Sequence, residues 1–181
     1  MVRKLFSLLI ALLLPVLAMA ENRQVIDEMQ LLDPEAVQEI NAQMAAVEDK
    51  YLVDLAVLIT DQVPDDTTED LAIVRNYADT YYDNGGFGMR LNGSGVLFLL
   101  DMNNCVIYIS TGGDMIMYLD ERRETEILDA MFEFAAAGDY EGTVRCFVSM
   151  IEEYLWQGID IGAYFDGVDN TNNVEYNGGD R

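Results

Sequence analysis

Apolar positions along the chain fall into two rhythms, and their alternation sketches the fold. After Asp33-Pro34, a helix-start pair, Val37, Ile40, Met44, Val47 and Tyr51 recur at helical spacing and predict a first helix with one buried stripe. "LVDLAVLIT", Leu52 to Thr60, is short and branched, which suits an interior strand covered on both faces. An acidic loop, "DQVPDDTTED", separates it from a second helix. Thr67 or Thr68 caps that helix, its face is Leu71, Val74, Tyr77, Ala78 and Tyr81, and Asn84-Gly85-Gly86 stops it.

A hairpin follows, with strands Gly95 to Leu100 and Cys105 to Thr111 around a turn at Asp101 to Asn104. Two more helices close the pattern, the first through Ile127, Met131 and Phe134, the second through Val144, Phe147 or Val148, Ile151 and Leu155, with Trp156 near its end. Strand, helix, strand, hairpin is a βαβ unit with an antiparallel extension. The expected fold is α/β, a three-layer α/β/α sandwich around a mixed sheet of about four strands.

The two ends of the chain fall outside that domain, which spans residues 21–160. "MVRKLFSLLIALLLPVLAMA" has the basic start, apolar centre and Ala18-Met19-Ala20 motif of a cleaved signal peptide over residues 1–20. An uncleaved N-terminal anchor is the alternative, and either places the domain outside the cytoplasm, secreted or in the cell envelope. Residues 161–181 lack a periodic apolar face and read as a polar, disordered tail.

Charge narrows the partners. Without Arg3 and Lys4, 8 basic residues face 33 acidic ones, a net charge of −25. Nucleic acid and anionic lipid are excluded as partners, since phosphate binding needs clustered cations. A membrane is reached only through an uncleaved N-terminus or a partner, while cations and basic protein surfaces are natural counterparts. Cys105 and Cys146 permit one disulfide outside the cell, but their apolar neighbours favour two buried thiols.

The chain has no histidine, so Ser-His-Asp, Cys-His and His-ligated zinc chemistry are excluded. Catalysis would have to run on carboxylates with a hard cation, Ca2+ or Mg2+. Two acidic pools are expected. Asp61 and Asp101 leave the carboxyl ends of parallel strands, where open α/β sheets bind ligands. Asn92, Ser94, Thr111, Gly112, Asp114 and Asp120 gather where the hairpin's outer ends meet. Turn chemistry at Asp101 and helix capping at Asp120 compete with both. "DGVDNTNNVEYN" lacks the EF-hand spacing, and "GGFG" and "NGSG" are turns rather than phosphate loops.

The order "VIDEMQLLDPEAVQEI", "LAVLIT", "YADTYYDNGGFG", "GVLFLL", "VIYISTGG" and "YLD" resembles the TPM domain. That family groups a thylakoid-lumen acid phosphatase-like protein, a photosystem repair factor and an acetylcholine-receptor modulator. Asp27 falls on the family's N-terminal Asp, Gly88 on the glycine before the strand, Gly95-Val96-Leu97 on Gly-Val-Leu, Thr111-Gly112 on Thr-Gly, and Asp120 on the Asp that opens the next helix. The resemblance implies an exported α/β sandwich that binds calcium or magnesium, with weak acid phosphatase activity in some members. Together with the pool at the hairpin's outer ends, it makes Asp27, Asp114 and Asp120 the expected metal ligands and Ser94, Thr111 and Gly112 the expected ligand corner. The chain departs from the family at Gly93-Ser94, where an acidic pair often stands, and at Asn104, which replaces a basic residue. Three readings stay open: a non-catalytic protein-binding or regulatory module, with or without a bound divalent cation, a metal-dependent acid phosphatase, and a purely structural module with neither metal nor partner.

Overall fold

The computed structural model describes residues 24–88, 93–160 and 162. The leader, Asn92 and all of the tail except residue 162 lie outside them. Among the described residues nine elements follow in chain order: β1 (Val25–Asp27), α1 (Pro34–Tyr51), β2 (Asp54–Thr60), α2 (Ala72–Gly85), β3 (Gly95–Asp101), β4 (Val106–Gly112), α3 (Met115–Tyr118), α4 (Glu121–Ala136) and α5 (Tyr140–Gln157).

The sheet runs β1-β2-β3-β4, with the first three strands parallel and β4 antiparallel to β3. β3 is buried along its whole length and β2 along all but its first residue, which explains their near-continuous apolar runs. Side-chain alternation divides the core. Leu55, Val57, Ile59, Val96 and Phe98 pack against α1, α4 and α5, where the Phe98 and Phe147 rings lie 5.4 Å apart. Ala56, Leu58, Leu97 and Leu99 pack against α2 and Val63 of the loop before it. The sheet steps the same way from β1 to β2 to β3, yet α1 and α2 cover opposite faces. The two parallel crossovers therefore have opposite hands, and one departs from the usual right-handed rule.

This is the expected sandwich, with local corrections. The segment before Asp33, expected as a simple lead-in, forms the edge strand β1. Asp33 caps α1 through a 2.8 Å bond from the Glu35 N–H, as its position implied. On α2 the buried tyrosine is Tyr82, while Tyr77 and Tyr81 are half-buried. Phe134, expected in the core, is 40% exposed, because the buried stripe of α4 runs through Arg123, Ile127 and Met131. Cys105 is an exposed turn residue with φ of 55° rather than a buried strand residue, and both thiols are free.

The expected Thr68 does bond the start of α2, but Asp66 shares the task with it. Asp66 Oδ2 accepts from the Ile73 and Val74 N–H groups at 2.8 and 3.0 Å, and Thr68 Oγ1 accepts from Ala72 at 2.9 Å. Leu71, in the left-handed region, bends the chain so that a carboxylate this far upstream reaches the helix. Desolvation pushes the Asp66 carboxyl up, but bonds from the Thr68 hydroxyl and the Val74, Thr68 and Ile73 N–H groups outweigh it and hold it at about 2. A depressed folded-state value stabilises above the ordinary 3.8 and is lost as pH falls toward 2. Asp66→Asn should therefore flatten the acid limb of the melting curve in that window and speed amide exchange at Ile73 and Val74. An unchanged acid limb would remove Asp66 as the cap.

Candidate functional site

Among the described residues α2 is the one helix on this face of the sheet, and it leaves the strip beside β1 open. A groove of about 790 Å³ lies there, lined by Ile26, Pro64, Ile73, Asn76, Tyr77, Thr80, Tyr81, Asn84, Gly85 and Phe87. Tyr81 and Phe87 stack at 6.2 Å. Burial raises the Tyr77 phenol above its ordinary value, the Glu28 carboxylate adds to this, and a bond with the Thr60 hydroxyl offsets part of it. The lining is thus aromatic and aliphatic with amide and hydroxyl groups set among it, a chemistry that recognises ligands.

Parallel pairing sets Thr60 beside Asp101, so Asp61 and Asp101 do leave the same end of the sheet. Their states differ. Asp61 is exposed and accepts from the Gln62 side chain. Asp101 is fully buried, and its carboxylate accepts from Asn103 N at 3.0 Å, Asn104 N at 3.2 Å and Asn104 Nδ2 at 2.6 Å. Asn104 also donates to Pro64 O and accepts from Asp66 N, and Asn103 reaches Val63 O and Asp65. Asp101 is the hub of a turn that ties the hairpin to the loop before α2.

Asp27 belongs to this same end, on the opposite face. One carboxylate oxygen, Oδ2, accepts from Leu32 N at 2.8 Å, while Oδ1 is buried without a hydrogen-bond partner. Its register, through Ile59 to Leu100, puts it six residues along β3 from Ser94, about 20 Å at ~3.3 Å per residue.

The far end holds the other expected residues. Ser94 is buried, its Oγ accepting from Asp114 N at 3.0 Å and its carbonyl from Asp54 N at 3.0 Å. Thr111 pairs with Val96 and faces the side of α1, α4 and α5, while Gly112 pairs with Gly95 and faces α2. What fills the corner on that side is Tyr82. A Cβ at Gly88 would lie 2.5 Å from its hydroxyl, one at Gly95 2.6 Å, and one at Gly112 2.8 Å. The glycines of the sequence pattern converge on one phenol, which donates to Gly93 O at 3.2 Å. Burial, then the Asp54 and Asp83 carboxylates, push that phenol up to about 12. Asp120 caps α4, accepting from Arg123 N at 2.9 Å. Arg123, buried over the Tyr154 ring, donates to the Tyr118 and Gly158 carbonyls at 2.8 and 2.7 Å, joining the start of α4 to the end of α5.

The structure therefore brings Ser94, Gly112 and Asp114 together and leaves Asp27 at the other end of the sheet from Asp114 and Asp120. Those three carboxylates do not fit one cation. Among the described residues, no group of three or more His, Cys, Asp or Glu side chains is arranged to hold a metal ion. The sequence reading missed the groove, the Tyr82 cradle and Glu48, which is buried on α1 and accepts from Leu55 N at 2.8 Å. One signal for the groove was present. Ile73, Tyr77 and Tyr81 form a second row at four-residue spacing beside Val74, Ala78 and Tyr82, a wider apolar face than one helix buries on a sheet.

A family model, that of the TPM domain, matches residues 25–154. No curated protein matches the chain. Among solved structures, it is similar to the N-terminal domain of a protein from P. gingivalis, with 22% identity, a TM-score of 0.59, and coverage of 74% of this chain and 82% of that one. It is also similar to a protein of the psychrophilic bacterium Bizionia argentinensis, with 14% identity, a TM-score of 0.59, and coverage of 72% and 86%. At these identities the two structures establish a shared fold.

Proposed function

The chain belongs to the TPM domain family, and from that premise we propose that it is an exported module that binds a protein partner in the envelope or extracellular space and turns over no substrate. The observation that carries this reading is the groove beside α2, whose lining offers aromatic surface with hydroxyl and amide groups but no carboxylate and no cation. A phosphate ester needs compensating positive charge, and a chain of net charge −23 repels it. The leader supports export, and no described helix is long and apolar enough to cross a membrane.

A bound Ca2+ or Mg2+, and with it the phosphatase reading, keeps one supporting observation, the buried and unpartnered Oδ1 of Asp27. A desolvated carboxylate oxygen without a donor is a group a hard cation would satisfy. Asp114 and Asp120 would have to serve a separate ion at the far end.

One experiment separates the readings. The melting temperature is followed against calcium and magnesium at fixed ionic strength for the chain, Asp27→Asn and Asp120→Asn, alongside hydrolysis of para-nitrophenyl phosphate. Hydrolysis is expected to stay at the blank rate with either metal. Any saturable rise in melting temperature should vanish in Asp27→Asn and persist in Asp120→Asn, since Asn caps a helix about as well as Asp. Metal-dependent turnover lost in Asp27→Asn would overturn the non-catalytic reading.

A further inference from the structure

The α2 groove opens along the free edge of the sheet. Val57 N bonds to Gln24 O and Glu28 N to Ile59 O at the two ends of β1. In a parallel ladder alternate residues turn their backbone groups to one neighbour, so Gln24, Ile26 and Glu28 serve β2, while Val25 and Asp27 present theirs to the outer edge. Among the described residues no strand pairs with that edge. The side chain of Ile26, on the α2 face, forms part of the groove wall. Edge backbone and groove are therefore one continuous surface: a strand laid beside β1 would run about 4.8 Å away and project every second side chain toward Tyr77 and Tyr81.

Charge identifies what lies there. The segment supplying Pro64 and the α2 wall carries the exposed carboxylates Asp61, Asp65, Glu69, Asp70 and Asp83, and Glu28 closes the end of β1. The basic residue of that described stretch, Arg75, donates to Asp70 O and interacts with Tyr108 on the far side of α2. A second copy, equally acidic, is a poor occupant.

Resting on the partner-binding reading above, we propose that the partner contributes a basic, extended segment that adds to β1 as a fifth strand, seats one aromatic or branched apolar side chain in the α2 groove and sets its Lys or Arg residues against the surrounding carboxylates. Backbone pairing supplies the geometry, the groove selects the central side chain, and the acidic rim selects the charge.

The test uses the purified chain and labelled seven-residue peptides with alternating Lys and Thr around a central Phe, Leu, Ala or Glu. Fluorescence anisotropy and amide chemical shifts are the readouts. The Phe or Leu peptide is expected to bind with Kd of about 10–100 μM, weakening with salt, and to shift Val25, Asp27, Ile73 and Tyr77. The central Ala peptide, a peptide with Pro beside the central residue, and the exposed-rim variants Thr80→Arg and Asn84→Arg should each lose about tenfold or more. Binding that is insensitive to the rim variants, shifts centred elsewhere, or no saturation by about 1 mM would overturn the docking mode. Peptide binding recovered only after removal of residues 1–23 would assign the groove to this chain's own N-terminus and overturn the partner assignment. Each failure leaves the hydrolysis experiment standing, so the docking mode and the non-catalytic reading fail separately.

Discussion

Gly95→Ala should be among the most damaging single-methyl changes in this protein, costing about 3 kcal/mol, at the upper end of overpacking effects. The new Cβ would lie 2.6 Å from the Tyr82 hydroxyl and 2.7 Å from the Asp54 carbonyl oxygen. The phenol can move, but the carbonyl belongs to the strand paired with Gly95 and cannot yield without shifting the β2–β3 register. At Gly112 the close atoms all belong to Tyr82, at 2.8, 2.9 and 3.1 Å. Removing the ring should therefore rescue one site and not the other. Gly112→Ala combined with Tyr82→Ala is expected to be markedly less destabilised than the sum of the two single changes, whereas Gly95→Ala with Tyr82→Ala should remain close to additive. Chemical denaturation of the six proteins measures this. Equal coupling at both glycines would mean that Tyr82 alone dictates the corner. A Gly95→Ala protein as stable as the parent would show that the corner has room for a ligand after all.

Loss of the Asp101 carboxylate should be comparably severe, for electrostatic rather than steric reasons. Asp101→Ala would strand the Asn103 and Asn104 N–H groups and the Asn104 amide in a part-buried turn. Each orphaned donor costs about 1–3 kcal/mol, and since the three share one acceptor group the total should be about 3 kcal/mol. Asp101→Asn should lose roughly half of that, because an amide oxygen keeps the two backbone donors while its NH2 opposes Asn104 Nδ2. The deficit should be the same in chelator as in calcium or magnesium. A deficit that disappears in chelator would identify Asp101 as a cation ligand instead of the turn's hub. Because Asn104 also bonds Asp66 N, damage should spread to α2, visible as faster amide exchange at Ile73 and Val74.

Legibility in the sequence followed the range of the interaction. The Asp33 cap, the turn role of Asp101 and the Asp120 cap were all readable, because a side chain bonding to a backbone group two or three residues away leaves a fixed spacing. The Asp66 cap was missed because it reaches seven and eight residues on, around a left-handed Leu71 that no pattern announces. Tyr82 was passed over for Tyr81 because adjacent helical positions lie about 100° apart and the choice depends on where the glycine-lined gap falls.

The candidate site shows the same division. Sequence alone determined that the chain is an acidic α/β domain without histidine chemistry and that β2 is interior, since these depend on composition and periodicity, while the order of its short motifs carried the resemblance to the TPM domain. The tertiary structure decided which carboxylates meet. The family resemblance and the hairpin-end pool together put Asp27 with Asp114 and Asp120, but strand register carries Asp27 to the opposite end of the sheet, and no one-dimensional pattern contains that distance. It also decided that the Gly95 and Gly112 corner is filled by the protein's own phenol, and that the open surface lies beside α2. A single helix laid on a four-stranded sheet cannot cover its width, so among the described residues the strip next to β1 is left bare.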